Sequence, residues 1–284
     1  MKTKLIIDKS ILGYKTPVFE HYLDSRWAMA YSASIKDLAN RYFDDITNNP
    51  LKVHPLFPVC LEWPSLVNCF DNTGLPMRST IHGTHDLHIF KQLIPGQTYF
   101  TVAEIVGLEQ IKPGTYLTWI IKTTDANGGL VCMTYQGNIF LGGNLEQPTL
   151  QKRYPPEAPR FEKKPFPKTI KIDATNEIAH TYTECARIWN PIHTELSAAK
   201  TSGMSKPILH GTATLALAIS AIVENELGSS SERISRVGCR FSFPVFLPEK
   251  LTLEIHKSND TTINFELLTK EGGKALQSAY IEYR

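Results

Sequence analysis

Apolar and polar residues alternate along two separate stretches of the chain, and the two stretches end alike. In the first, runs over Tyr99 to Val106, Tyr116 to Thr123 and Leu130 to Leu141 carry strand-like patterning. In the second, Gly238 to Phe246, Leu251 to His256, Ile263 to Leu268 and Ala275 to Tyr283 do the same. Leu251, Leu253 and Ile255 alternate with polar neighbours, the period-two mark of a half-buried strand. Asp125-Ala126-Asn127-Gly128-Gly129 and Lys270-Glu271-Gly272-Gly273 separate the last two runs of each stretch. Their paired glycines supply the positive φ that tight hairpins demand. The pattern predicts two antiparallel meanders of similar layout, an internal duplication.

A different period precedes the second meander. From His210-Gly211 the chain runs through alanine, leucine and isoleucine to Val223 with no charge, and Gly228 offers a stop. Alanine and leucine favour helix, and a helix apolar on nearly every face has to be buried. The first half has an irregular counterpart, Val59 to Val67, interrupted by Pro64, which predicts a short or kinked helix. A buried central helix wrapped by a curved antiparallel sheet is the hotdog architecture. The expected fold is therefore α+β, a double hotdog with two curved antiparallel sheets, each wrapped on a central helix. Residues 144–168 hold Pro148, Pro155, Pro156, Pro159, Pro165 and Pro167 among many charges. Proline has no amide donor and a fixed φ, so this reads as an extended surface linker. The expected division is an N-terminal hotdog over 1–143, degenerate and shaping a substrate tunnel, the linker over 144–168, and a C-terminal hotdog over 169–284.

Composition narrows the class. The 284 residues are 42% hydrophobic and 20% charged, enough for a sizeable core. A net charge of +2 with scattered basic residues argues against nucleic-acid binding. The densest basic run, Lys163, Lys164, Lys168 and Lys171, lies among the prolines. It reads first as solvated linker and second as a docking patch for an acidic carrier. Cys60, Cys69, Cys132, Cys185 and Cys239 show neither CxxC nor metal-ligand spacing, so reduced thiols and no metal are expected. The first residues, MKTKLIIDKSILGYKTP, lack a long apolar region and a cleavage site, and no run suffices for a membrane span. The expected compartment is the cytoplasm. No nucleotide-phosphate loop or flavin fingerprint is present, so no cofactor is expected.

The chemistry concentrates in Tyr182-Thr183-Glu184-Cys185-Ala186-Arg187-Ile188-Trp189-Asn190-Pro191-Ile192-His193-Thr194-Glu195. Pro207-Ile208-Leu209-His210-Gly211 follows, with Ala198, Ala199 and Gly203 between. This pairing resembles the signature of the MaoC-like dehydratases and the type-2, (R)-specific enoyl-CoA hydratases, in detail over about Lys171 to Val223 and loosely over the whole chain. The resemblance implies hydration or dehydration of an acyl thioester of fatty-acid metabolism, carried by CoA or acyl-carrier protein. It implies His193 as general base and Asn190 as the residue fixing the local turn. The Gly211 amide, at the positive end of a buried helix, would be the donor to the thioester carbonyl. Ile188, Trp189, His210 and Thr212 fall where the substrate would bind, with His210 also suited to holding its loop through ring hydrogen bonds. The family aspartate falls on Ile188, which can neither transfer a proton nor hold a water. Glu184, Glu195 and the group His82, His85, Asp86 and His88 are replacements to weigh. Two other readings stay open: a protein that binds acyl thioesters without hydrating them, and a tailoring lyase using the same pocket. Monomer and homodimer both remain compatible with the duplicated layout.

Overall fold

Both meanders form, and their strands lie in one sheet. The structure, a computed structural model, describes residues 5–47, 50–145, 149–151, 153–257 and 259–284. The first half builds β1 (Phe19–Leu23), α1 (Ser25–Ser34), α2 (Pro58–Thr73), β2 (Thr80–Ile89), β3 (Gln97–Ile111), β4 (Gly114–Asp125) and β5 (Leu130–Leu141). The second builds β6 (Lys168–Ala174), α3 (Ile178–Ala186), α4 (Leu196–Thr201), α5 (Gly211–Glu226), β7 (Ile234–Phe241), β8 (Glu249–Lys257), β9 (Thr262–Leu268) and β10 (Lys274–Tyr283). The strand order is β1-β3-β4-β5-β2-β7-β10-β9-β8-β6, with the short strand Leu150–Gln151 added on β3. Reflected about the β2–β7 seam, the two halves have the same order, which is the duplication the meanders predict. Gly128 and Gly272 take φ of +76° and +85° in the corresponding hairpin turns.

The expectation of two curved sheets is corrected here. The strands of both halves form one eleven-stranded antiparallel sheet, neither closed nor strongly curled, beside a small parallel pair of Leu5–Ile6 with Gly143–Asn144. The reason is an edge. β2 and β7, the strands that follow the central helices, would each leave a row of unpaired amides and carbonyls. They pair with each other instead, with Asp86 opposite Gly238 and His85 opposite Cys239. A bidentate ion pair crosses this seam, Arg236 Nε and Nη2 each reaching an oxygen of Asp86 at 2.8 Å. Arg236 also donates to the carbonyls of Pro156 and Glu157, at 3.2 and 3.1 Å, and so holds the proline-rich crossing on the sheet.

α5 is buried along Ala213 to Ile219 and again at Ile222 and Val223, as its uniformly apolar composition requires. It stops at Leu227, followed by Gly228 at φ +56°. α2 is not short: it has 16 residues, as many as α5, and contains Pro64. The proline removes the amide that would bond to the Cys60 carbonyl. Burial of Val59, Cys60, Leu61, Leu66 and Phe70 holds the helix together despite this. One core cluster joins α2, α3 and α5 to the second meander, and a second fills the first half around Trp119 and Phe140. Residues 153–167 carry neither helix nor strand, while residues 146–148 and 152 of the expected linker, Pro148 among them, lie outside the described residues. No described helix is long and apolar enough to cross a membrane. The five cysteines are unpaired, four buried and Cys185 half-buried.

Candidate active site

The segment after α3 is bent by local chemistry. Arg187 caps the helix in the left-handed region, at φ +58°, while the Ile188 amide bonds back to the Thr183 carbonyl at 3.1 Å. The Arg187 guanidinium lies over the Trp27 ring at 3.9 Å, which holds the unfavourable backbone in place. The bend turns Ile188 inward, 6% exposed, and Trp189 outward, 57% exposed. Asn190 then caps a 3-10 turn over Pro191–His193, its Oδ1 accepting from the Ile192 amide at 3.4 Å.

That turn delivers His193. Its Nδ1 donates to the Ile208 carbonyl at 2.9 Å, which leaves Nε2 as a lone-pair acceptor. The ring stacks on His210, centroids 3.6 Å apart. His210 Nε2 lies 3.2 Å from Thr183 Oγ1 and 3.4 Å from the Ile188 carbonyl, so its ring pins the loop to α3. Burial pushes His193 down to about 4, against the Ile208 hydrogen bond, which raises it. Burial and the neighbouring His193 push His210 well below the usual range. Two stacked neutral imidazoles result, one of them with a basic nitrogen available at neutral pH.

His193 opens on a cavity of about 450 Å³. Ile188, Asn190, His210, Gly211 and Thr212 share its wall. Gly211 is the first residue of α5, so its amide has no intrahelical acceptor. An added Cβ there would meet the Phe241 ring at 3.0 Å, and Phe241 also lines the cavity. Thr212 Oγ1 accepts from the Tyr182 hydroxyl at 3.1 Å, leaving its own proton to donate. The structure therefore brings His193, Asn190, Gly211, Ile188, His210 and Thr212 together, and leaves Trp189 outside, its Nε1 3.3 Å from Glu184 Oε2.

The replacements for the missing aspartate separate in the same way. Glu184 is exposed and does not line the cavity, whereas exposed Glu195 and half-buried His82 do. Asp86 is taken up by Arg236, and His88 sits 3.3 Å from it. Both ring nitrogens of His85 are buried without a hydrogen-bond partner among the described residues. The basic run lies away from the cavity: Lys163 pairs with Glu266, Lys164 with Glu162 and Lys168 with Glu226, while Lys171 bonds Thr252. The first half contributes Trp63 and polar groups that its sequence did not single out. Glu62 and Trp63 come from α2, Gln136 and Asn138 from β5. Glu62 is 2% exposed, accepts from Thr134, and is pushed up by burial to about 7. It reads along the chain as an ordinary helix charge; the alternation of Gln136 and Asn138 was the available signal for an inward polar row.

Comparisons with known proteins bear on the fold and the family. Residues 158–278 match the model of the MaoC like domain. The peroxisomal enoyl-CoA hydratase 2 of Arabidopsis thaliana is 25% identical over 244 residues, covering 82% of this chain and 78% of the relative. A probable enoyl-CoA hydratase 2 of Dictyostelium discoideum is 26% identical over 207 residues, covering 70% and 68%. Among solved structures, a MaoC-like dehydratase from Phytophthora capsici superposes with a TM-score of 0.84 at 20% identity, covering 96% of this chain and 97% of that one.

Proposed function

This chain belongs to the MaoC-like dehydratase family, and we propose that its cavity adds water to, or removes it from, an enoyl thioester with His193 as the one proton-transferring side chain. At the family level the activity is that of an acyl-thioester hydro-lyase. The observation that carries the finer reading is the hydrogen bond from His193 Nδ1 to the Ile208 carbonyl, which fixes the tautomer and presents a basic Nε2 at the cavity wall. In hydration, Nε2 takes a proton from water as its oxygen bonds to the β-carbon. The negative charge moves to the thioester oxygen, and the imidazolium then returns the proton to the α-carbon. Atoms and charge balance with one residue shuttling one proton. The Gly211 amide and the Thr212 hydroxyl are the donors placed for the enolate oxygen, at the positive end of α5. The Asn190 side chain, with its oxygen committed to the turn, keeps its amide nitrogen for the water.

Ile188 favours a second reading. It lines the cavity as an apolar side chain where the family pattern has an aspartate, and a pocket with one proton-transferring group less could bind a thioester without turning it over. The purified chain, incubated with crotonyl-CoA and longer trans-2-enoyl-CoAs, decides between them. Loss of the enoyl absorbance, with a 3-hydroxyacyl product, is the expected result. Saturable binding with no product sinks hydration and leaves the binding protein.

A further inference from the structure

The cavity wall is mostly apolar, but one stripe of it, shared by α2 and β5, is polar. α2 turns Val59, Glu62, Trp63, Leu66 and Phe70 to the cavity, positions three, four, seven and eleven residues on from the first and hence one helical face. Facing them, β5 presents Gln136 and Asn138, alternate residues of one strand face. Thr134, the next residue of that row, donates to Glu62 Oε1. Gln136 Nε2 donates to Asn138 Oδ1 at 2.9 Å, and Asn138 Nδ2 to Thr80 Oγ1 at 3.2 Å. Thr134, Gln136 and Asn138 are 0%, 5% and 4% exposed.

This row begins near the reacting end. Asn138 pairs across the sheet with His82, whose ring lies 4.6 Å from Phe241, the ring packed against Gly211. His82 Nε2 is itself buried without a hydrogen-bond partner among the described residues. At a rise of about 3.4 Å per residue, the row runs on the order of 13 Å along β5 from Asn138 to Thr134, away from Gly211, with Gln136 and Asn138 on the cavity wall and Thr134 behind Glu62. Thr134 is the one side-chain hydrogen-bond partner of Glu62 among the described residues. A plain alkyl tail in this space would strip water from the polar groups of Glu62 and Gln136 that these hydrogen bonds leave open, and return no hydrogen bond. Each such loss costs about 1–3 kcal/mol. Leucine or isoleucine would line a tunnel for hydrocarbon without that penalty.

We infer that the acyl chain this cavity is built for carries a hydroxyl group on its distal part, received by Glu62 and Gln136. A hydroxyl both donates and accepts, so it can give its proton to Glu62 and take one from the Gln136 amide. A carboxylate on the tail would meet Glu62 with like charge. The inference rests on the reading that the cavity takes acyl thioesters.

Binding tests it without requiring turnover. Dissociation constants are measured by calorimetry near pH 8, above the value of about 7 to which burial raises Glu62, for saturated medium-chain acyl-CoAs with and without a terminal hydroxyl, across a series of equal-length pairs. For the hydroxylated member of at least one pair, about tenfold or greater preference is expected, since a hydrogen bond to a charged group is worth about 1.5–3 kcal/mol. Glu62→Leu should abolish the preference. Gln136→Leu, which leaves the Glu62–Thr134 pair intact, should reduce it, and serves where the first variant fails to fold. Equal or tighter binding of the plain chain in every pair overturns this inference alone. Failure of both members to bind overturns it together with the thioester reading.

Discussion

Replacing Glu62 by glutamine should stabilise the protein, and by an amount that depends on pH. The carboxyl rises from 4.5 to about 7 because burial disfavours its charge, with the Thr134 hydrogen bond opposing. An acid whose folded pKa lies above its unfolded value binds its proton more tightly when folded. Its contribution is therefore favourable at low pH and is lost as pH rises from 4.5 to about 7. The rise from 4.5 to about 7, at 1.36 kcal/mol for each tenfold change in proton affinity, amounts to about 3 kcal/mol. Glutamine keeps the oxygen that accepts from Thr134 and never ionises. Urea unfolding of both proteins should show Glu62→Gln ahead by about 3 kcal/mol near pH 8 but by about 1 kcal/mol near pH 5, with unchanged m. An equal difference at both pH values, or a less stable variant near pH 8, would refute a buried, desolvated Glu62. A penalty of that size borne in a cavity wall is the trade of stability for function expected of a binding group.

Other expectations follow from the same geometry. His193 is held down to about 4, so its basic form persists to low pH. The kcat/KM profile should stay level on the acid side until about pH 4 and fall below it. A limb near the ordinary histidine value would mean an Nε2 more exposed than the structure places it. Asp86→Asn removes the bidentate partner of Arg236 and leaves a guanidinium in the β2–β7 seam. A loss of about 3 kcal/mol is expected in denaturant titration, with no change in the secondary-structure spectrum of the folded form. Ile188→Asp puts a carboxyl on the cavity wall and should raise hydration while lowering stability by about 1–3 kcal/mol, read from turnover and unfolding of the same preparation.

What was legible in the sequence was local. Alternation through Leu251, Leu253 and Ile255, the glycines of the two hairpins and the apolar run of α5 each reflect a period set by the backbone itself. The turn at Asn190–His193 and the helix start at His210–Gly211 also lie within a few residues of their own signals. The seam was not legible in this way: Asp86 and Arg236 are 150 residues apart, and nothing near either strand says that its free edge will meet the other. The length of α2 ran against Pro64 because tertiary burial outweighs one lost hydrogen bond. Glu62 and Gln136 reach the site only through packing of the first half on the second. Trp189 neighbours Ile188 in sequence, yet the left-handed residue at Arg187 sets the bend that separates their directions.

The measurement that bears most directly on the account is the rate of trans-2-enoyl-CoA hydration by the unaltered chain beside His193→Ala, with the fold of the variant checked by circular dichroism. The account predicts turnover in the first and a fall of about 100- to 10,000-fold in the second. Turnover that survives in folded His193→Ala would contradict it.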